Sequence, residues 1–109
     1  LLAWMEGRSQ PKGMPPHAEF MQGVSSALDD IRTRHVGRPV LVVSSGGPIA
    51  HAVGHVLQAP HAAIVELNLR IRNSAVSEFA FSDKRHSLVT FNTLPHLQPA
   101  ALRDWVTHA

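Results

Sequence analysis

At 109 residues the chain can build one domain around a core of its own, but not two. Apolar residues make up 44% and charged residues 17%, and the net charge of +2 comes from ten basic and eight acidic residues dispersed along the chain. No Lys/Arg run offers a nucleic-acid groove or polybasic membrane patch, no apolar run is long enough to span a bilayer, and without cysteine there is no disulfide, thiolate metal site or thiol nucleophile. These features predict a cytoplasmic protein with neither nucleic acid nor membrane as partner.

Along the chain, a short apolar start (Leu1, Leu2, Trp4, Met5) gives way to GRSQPKGMPP, whose two glycines and three prolines mark a loop. From His17 to about His35, Phe20, Val24, Leu28 and Ile31 recur at three- and four-residue steps, the pattern of an amphipathic helix. Its solvated positions hold Glu19, Asp29, Asp30, Arg32 and Arg34. GRP at 37–39 ends that helix. VLVVS at 40–44 then reads as a strand apolar on both faces, the kind buried in a parallel sheet. Ile49, Val53, Val56 and Leu57 give a helical stripe, so residues 40–57 form a strand–turn–helix unit. QAPHAAIVELNL is ambiguous, read as a further short helix from about His61. SAVSEFAFS (74–82), with Val76, Phe79 and Phe81, and HSLVTFN (86–92) read as a hairpin about the turn DKR. LPHLQP is a loop, and PAALRDWVTHA closes with a helix whose apolar side is Leu102, Trp105 and Val106. The order is that of an α/β fold in one domain, residues 1–109, although residues 40–44 lack parallel neighbours within the chain.

The junction Ser44-Ser45-Gly46-Gly47 lies at the carboxyl end of that expected strand, where α/β folds collect ligands. A helix N-terminus presents unpaired N–H groups and favours anions. Glycine lets a phosphate approach the backbone, and serine adds donors without bulk. Pro48 in the first turn lacks only an N–H that the helix does not use. The plain alternative is a serine cap and glycine turn with no ligand.

Taken together, PVLVVSSGGPIAHAVGHVL, LNLRIRNSAVSEFAF and HSLVTFNTLPHL resemble the C-terminal half of the histidine phosphatase (phosphoglycerate mutase-like) superfamily. Members carry a strand ending in Ser-His-Gly-Gly, then a helix, an Asn before a strand, a hairpin and a return strand ending in a motif like fNdtaHL. The matching residues are Ser44 to Gly47, Asn73 with Ser74 and Val76, Phe91 with Asn92, and His96 with Leu97. The resemblance implies a three-layer α/β/α sandwich, here an incomplete one. It implies phosphomonoester hydrolysis or phosphoryl transfer through a phosphohistidine, on a phosphorylated small molecule and with no cofactor. Ser44, Ser45, Gly46 and Gly47 would line one wall of the phosphate pocket.

Two departures stand out. No Arg-His-Gly nucleophile motif occurs, so the chain is expected to be a fragment, inactive alone and paired with a missing N-terminal segment or a second copy. Ser45 stands where the family has its second catalytic histidine. A neutral hydroxyl there gives a weaker bond than an imidazolium would, which implies an altered enzyme or a non-catalytic anion-binding relative.

Other candidates carry less. His51 and His55, four residues apart, resemble a metal pair, but HAVGH lacks the Glu of His-Glu-x-x-His and a third ligand, so no metal is expected. A serine hydrolase built on Ser45, Asp83 and His96 would need Gly where Val43 stands. Arg70, Arg72 and Arg85 read as solvated surface, Asn73 as a turn cap, His96 as structural, and Trp4 and Trp105 as core or interface anchors.

Overall fold

A computed structural model describes residues 2–7 and 16–97, and the expected C-terminal helix with Trp105 lies outside them. Helix α1 (Leu2–Met5) is one turn that buries Trp4 and Met5; Gly7, at φ 77°, ends it by donating to the Trp4 carbonyl. Helix α2 (His17–Arg34) matches its expected span to one residue. Glu19 in its first turn and Arg32 and Arg34 in its last complement the helix dipole, and the pairs Asp29–Arg32 and Asp30–Arg34 lie along its outer face.

Helix α3 (Gly46–Leu57) and helix α4 (His61–Arg70) form a helical hairpin. The turn between them uses Gln58 in the left-handed conformation (φ 55°), with the Gln58 and Ala59 amides returning to the last carbonyls of α3. Strands β1 (Val76–Phe81) and β2 (His86–Thr93) pair antiparallel about residues 82–85, where the Ser82 hydroxyl accepts from the Lys84 and Arg85 amides. A 3₁₀ turn follows at Pro95–Leu97. The architecture is thus mixed helix and sheet, with α3 packed against α2, α4 and β2. The core joins Trp4, Met5, Ala50, Ile64 and Ile71, with Phe20, Ile49, Val65, Leu67 and Phe91 packed around them.

One expectation changes. Residues 40–44 form no strand: they link α2 to α3 outside any helix or strand, with Leu41 and Val43 89% and 88% exposed. The two-stranded β1–β2 sheet is the one sheet among the described residues, and it gives this segment no partner. In β1 burial alternates at every residue from Val76 to Phe81, so Ser77, Phe79 and Phe81 share the inner face and Val76, an odd number of residues from both aromatics, lies outward; register shifts against β2 fall between Val76 and Phe79.

Asn92 locks the hairpin to the end of α4. It sits at φ 61°, a conformation asparagine tolerates better than most residues. Its side-chain oxygen accepts from the Arg72 amide at 2.8 Å, and its nitrogen donates to the Arg70 carbonyl at 2.6 Å. Its amide donates to Ser77 Oγ, and its carbonyl accepts from the Arg72 guanidinium.

The closest helix contact is at Gly54, where a Cβ would lie 2.3 Å from Ile64 Cγ1 and 2.7 Å from its Cδ1. Ile64 is buried and has little room to withdraw. Gly54→Ala is therefore expected to destabilise the fold by about 1–2 kcal/mol, overpacking outweighing the roughly 1 kcal/mol gain in helix propensity. Urea unfolding checks this. Adding Ile64→Val should restore part of the loss, and an unchanged midpoint for Gly54→Ala would contradict the packing described.

Candidate functional site

The segment between α2 and α3 delivers Ser44 and Ser45 to the start of α3. Ser45 is the N-cap residue with extended backbone (φ −116°, ψ 174°), and its carbonyl accepts from the Ile49 amide at 3.2 Å. This much follows from the sequence, because serine, two glycines and a proline cannot continue a strand and Pro48 suits a first turn. The Ser45 side chain, however, makes no capping hydrogen bond. Ser44 and Ser45 are both exposed, and the first-turn amides of Gly46 and Gly47 have no side-chain partner. A Cβ on Gly47 would meet nothing within 4 Å. Nothing inside the described fold demands glycine there, so the space it leaves faces outward.

The first turn is held from behind by histidine. His51, 1% exposed, places Nδ1 2.7 Å from the Gly47 carbonyl and Nε2 3.0 Å from Nε2 of His17, itself buried at the start of α2. Trp4 lies edge-on to His17, and Phe20 lies edge-on to His51, with ring centroids 4.9 and 4.8 Å apart. His61 of α4 faces His17 at 5.1 Å. Burial, chiefly, and then the nearby His51 and His61 hold the His17 pKa below its ordinary 6.5.

His51 and His55 therefore do not act as a pair: His51 is buried in this cluster, while His55 is exposed at the other end of the helix. No group of three or more His, Asp or Glu arranged to hold a metal occurs among the described residues. The hydrolase set is not assembled either. The Asp83 carbonyl accepts from Arg32, His96 bonds the Ser74 hydroxyl at 2.9 Å, and neither is bonded to Ser45. Arg70 is solvated and paired with Glu66, whereas Arg72 is half-buried on Asn92, its Nε without a partner.

Two recesses lie toward the C-terminal end of α3. One of about 370 Å³ is bounded by Met21, Gly54, His55, Gln58 and His61. The other, of about 200 Å³, is bounded by Arg32, His55, Lys84, Arg85 and His86. In the second, burial first and then Arg32 and His55 lower the His86 pKa, against an opposing effect of Asp29. Both are some ten residues, or about 15 Å, along the helix from the Ser44–Gly47 junction. The junction instead brings two exposed serines to an uncapped helix start. The residue that sequence reading passed over is His17. Nothing in the sequence shows that it meets a histidine 34 positions later; the one hint is its place a single turn before the inward-facing Phe20.

No described helix is long and apolar enough to cross a membrane. No curated protein and no solved structure matches the chain. A family model does, that of the histidine phosphatase superfamily (branch 1), over residues 1–94. Those residues take in α1 to α4, the junction and both hairpin strands, and the chain belongs to the histidine phosphatase superfamily.

Proposed function

We propose that the Ser44–Gly47 junction forms one wall of a phosphate pocket, in a protein that hydrolyses or transfers phosphoryl groups through a phosphohistidine. Membership of the superfamily points to phosphatase- or mutase-type phosphoryl transfer. The observation that carries the site is the open first turn of α3. Ser44 and Ser45 are exposed, Gly46 and Gly47 are half-buried, and the Ser45 side chain makes no capping bond, at the positive end of a twelve-residue helix. Such preorganised donors suit the charge that builds on phosphoryl oxygens in the transition state.

Ser45 replaces a charged donor with a neutral one, and no Arg-His-Gly occurs in the sequence. In this reading the chain supplies a binding wall and the nucleophile comes from outside these 109 residues. The second reading, a non-catalytic phosphate-binding relative, is favoured by Ser45 alone. In both readings the partner is phosphate or a phosphorylated small molecule.

Inorganic phosphate titrated against the chain is expected to shift the Gly46 and Gly47 amide resonances. Ser45→His should tighten binding about fivefold, the worth of roughly 1 kcal/mol from a charge-assisted bond. Gly47→Ala should weaken it by about tenfold or more, because a Cβ tilts toward the helix N-terminus, where the anion sits. Its melting temperature should hold or rise, alanine being the better helix former. Phosphate binding untouched by Gly47→Ala would remove the junction from the site. Burst release of p-nitrophenol with a trapped phosphohistidine, in the protein carrying the nucleophile, separates enzyme from binder.

We also propose a three-layer α/β/α sandwich in which residues 40–44 take their place as a strand, paired with strands from a further segment or a second copy. Support comes from the exposure of four consecutive apolar residues, Val40, Leu41, Val42 and Val43. Sedimentation equilibrium is expected to show self-association of the chain alone. A lone monomer at every concentration would sink the pairing.

A further inference from the structure

We propose that His51 and His17 are positioning residues for the Ser44–Gly47 wall, joined as a proton-sensitive relay that holds the first turn of α3 in place. The inference rests on the phosphate-wall reading for its function, and on hydrogen-bond geometry for its existence. A carbonyl only accepts, so the 2.7 Å contact to Gly47 O fixes the proton of His51 on Nδ1. Neutral His51 then offers a bare lone pair at Nε2, and the 3.0 Å contact requires His17 Nε2 to donate to it. The chain runs His17 Nε2–H to His51 Nε2, then His51 Nδ1–H to the Gly47 carbonyl.

That relay bears on the wall because little else among the described residues holds the first turn. Ser45 gives no side-chain cap, Gly46 and Gly47 are poor helix formers, and Pro48 contributes no amide. His51 adds a second donor to the Gly47 carbonyl from a ring locked by Trp4, Phe20 and His17.

Protons act on it in two ways. A proton on His17 Nδ1 leaves the bond to His51 formed but puts a charge into a site closed by the Trp4 ring of α1. The titratable groups that act on His17 are His51 from α3 and His61 from α4, and both oppose that charge. A proton on His51 Nε2 turns two facing nitrogens 3.0 Å apart into two donors, and their bond is lost. The folded-state pKa of His17 lies below the unfolded value of 6.5, so this contribution to stability is complete above pH 6.5 and declines as pH falls from there toward the folded pKa.

The test follows ¹⁵N ring resonances of His17 and His51 in the full chain, with the Gly46 and Gly47 amides, from about pH 8 to about pH 5. At the upper end His51 is expected as the Nδ1–H form. The two glycine amides should then move with the same midpoint as His17, below 6.5, because a charged His17 donates more strongly to His51 and so polarises His51 Nδ1–H toward the Gly47 carbonyl. His17→Phe should abolish that movement. If that variant does not fold, His17→Gln, which keeps a donor but cannot be protonated, should hold the amides at their neutral positions throughout. An Nε2–H tautomer for His51, or glycine amides that stay still while His17 titrates, overturns the proposal. Sulfate, which does not titrate in this range, serves as the anion probe. Coupled titration with no sulfate shift at Gly46 and Gly47 would support the relay while removing the phosphate wall.

Discussion

The contact on which the fold depends is the one between Gly54 and Ile64. Because Gly54 has no side chain, α4 lies close against α3, and that approach brings Ile64 and Ala50 into one cluster with Trp4 and Met5. A helical hairpin this tight leaves the other faces of α3 for α2 and β2. Once α3 is fixed on three sides, its N-terminus has a fixed direction, and a turn rich in glycine can present its amides without side-chain caps of its own. Rigidity is supplied from inside the fold and openness is kept at the end.

The hairpin is held by a different kind of interaction. Asn92 satisfies the backbone of Arg70 and Arg72 just beyond α4, where a helix end would otherwise leave polar groups unpaired. Its positive φ accompanies the register change in the sheet, so one residue both ties the sheet to the helices and sits where the pairing of β1 with β2 shifts. Packing positions α3 and α4, and hydrogen bonding positions β1 and β2. The pairs Asp30–Arg34 and Glu66–Arg70 are exposed and add little to either.

How much of this was legible in the sequence varies with the range of the interaction concerned. Helix α2 was readable because Phe20, Val24, Leu28 and Ile31 repeat with helical period, and the hairpin because its turn residues are local. The junction was readable as chemistry, since serine, glycine and proline have strong conformational preferences. Val76 faces outward because it lies an odd number of residues from Phe79 and Phe81, which the two-residue period alone dictates. Residues 40–44 have the composition of a buried strand, but a strand exists only as half of a pair, and composition does not supply the partner. The His17–His51 contact was invisible for a related reason: its two residues meet only after α2 and α3 have packed. The family resemblance reached Ser44–Gly47 by motif, and no motif marks a residue whose influence passes through another side chain.

The unpaired run from Val40 to Val43 has one more consequence. Four consecutive apolar β-formers, with backbone donors and acceptors free and no charged residue among them, are good material for cross-β stacking. The flanking Arg38 is followed by Pro39, which can act as a gatekeeper on one side, but on the other side the neighbours are Ser44 and Ser45. With a net charge of only +2, long-range repulsion between chains is weak. The same exposed run that awaits a partner strand therefore favours pairing between chains as concentration rises.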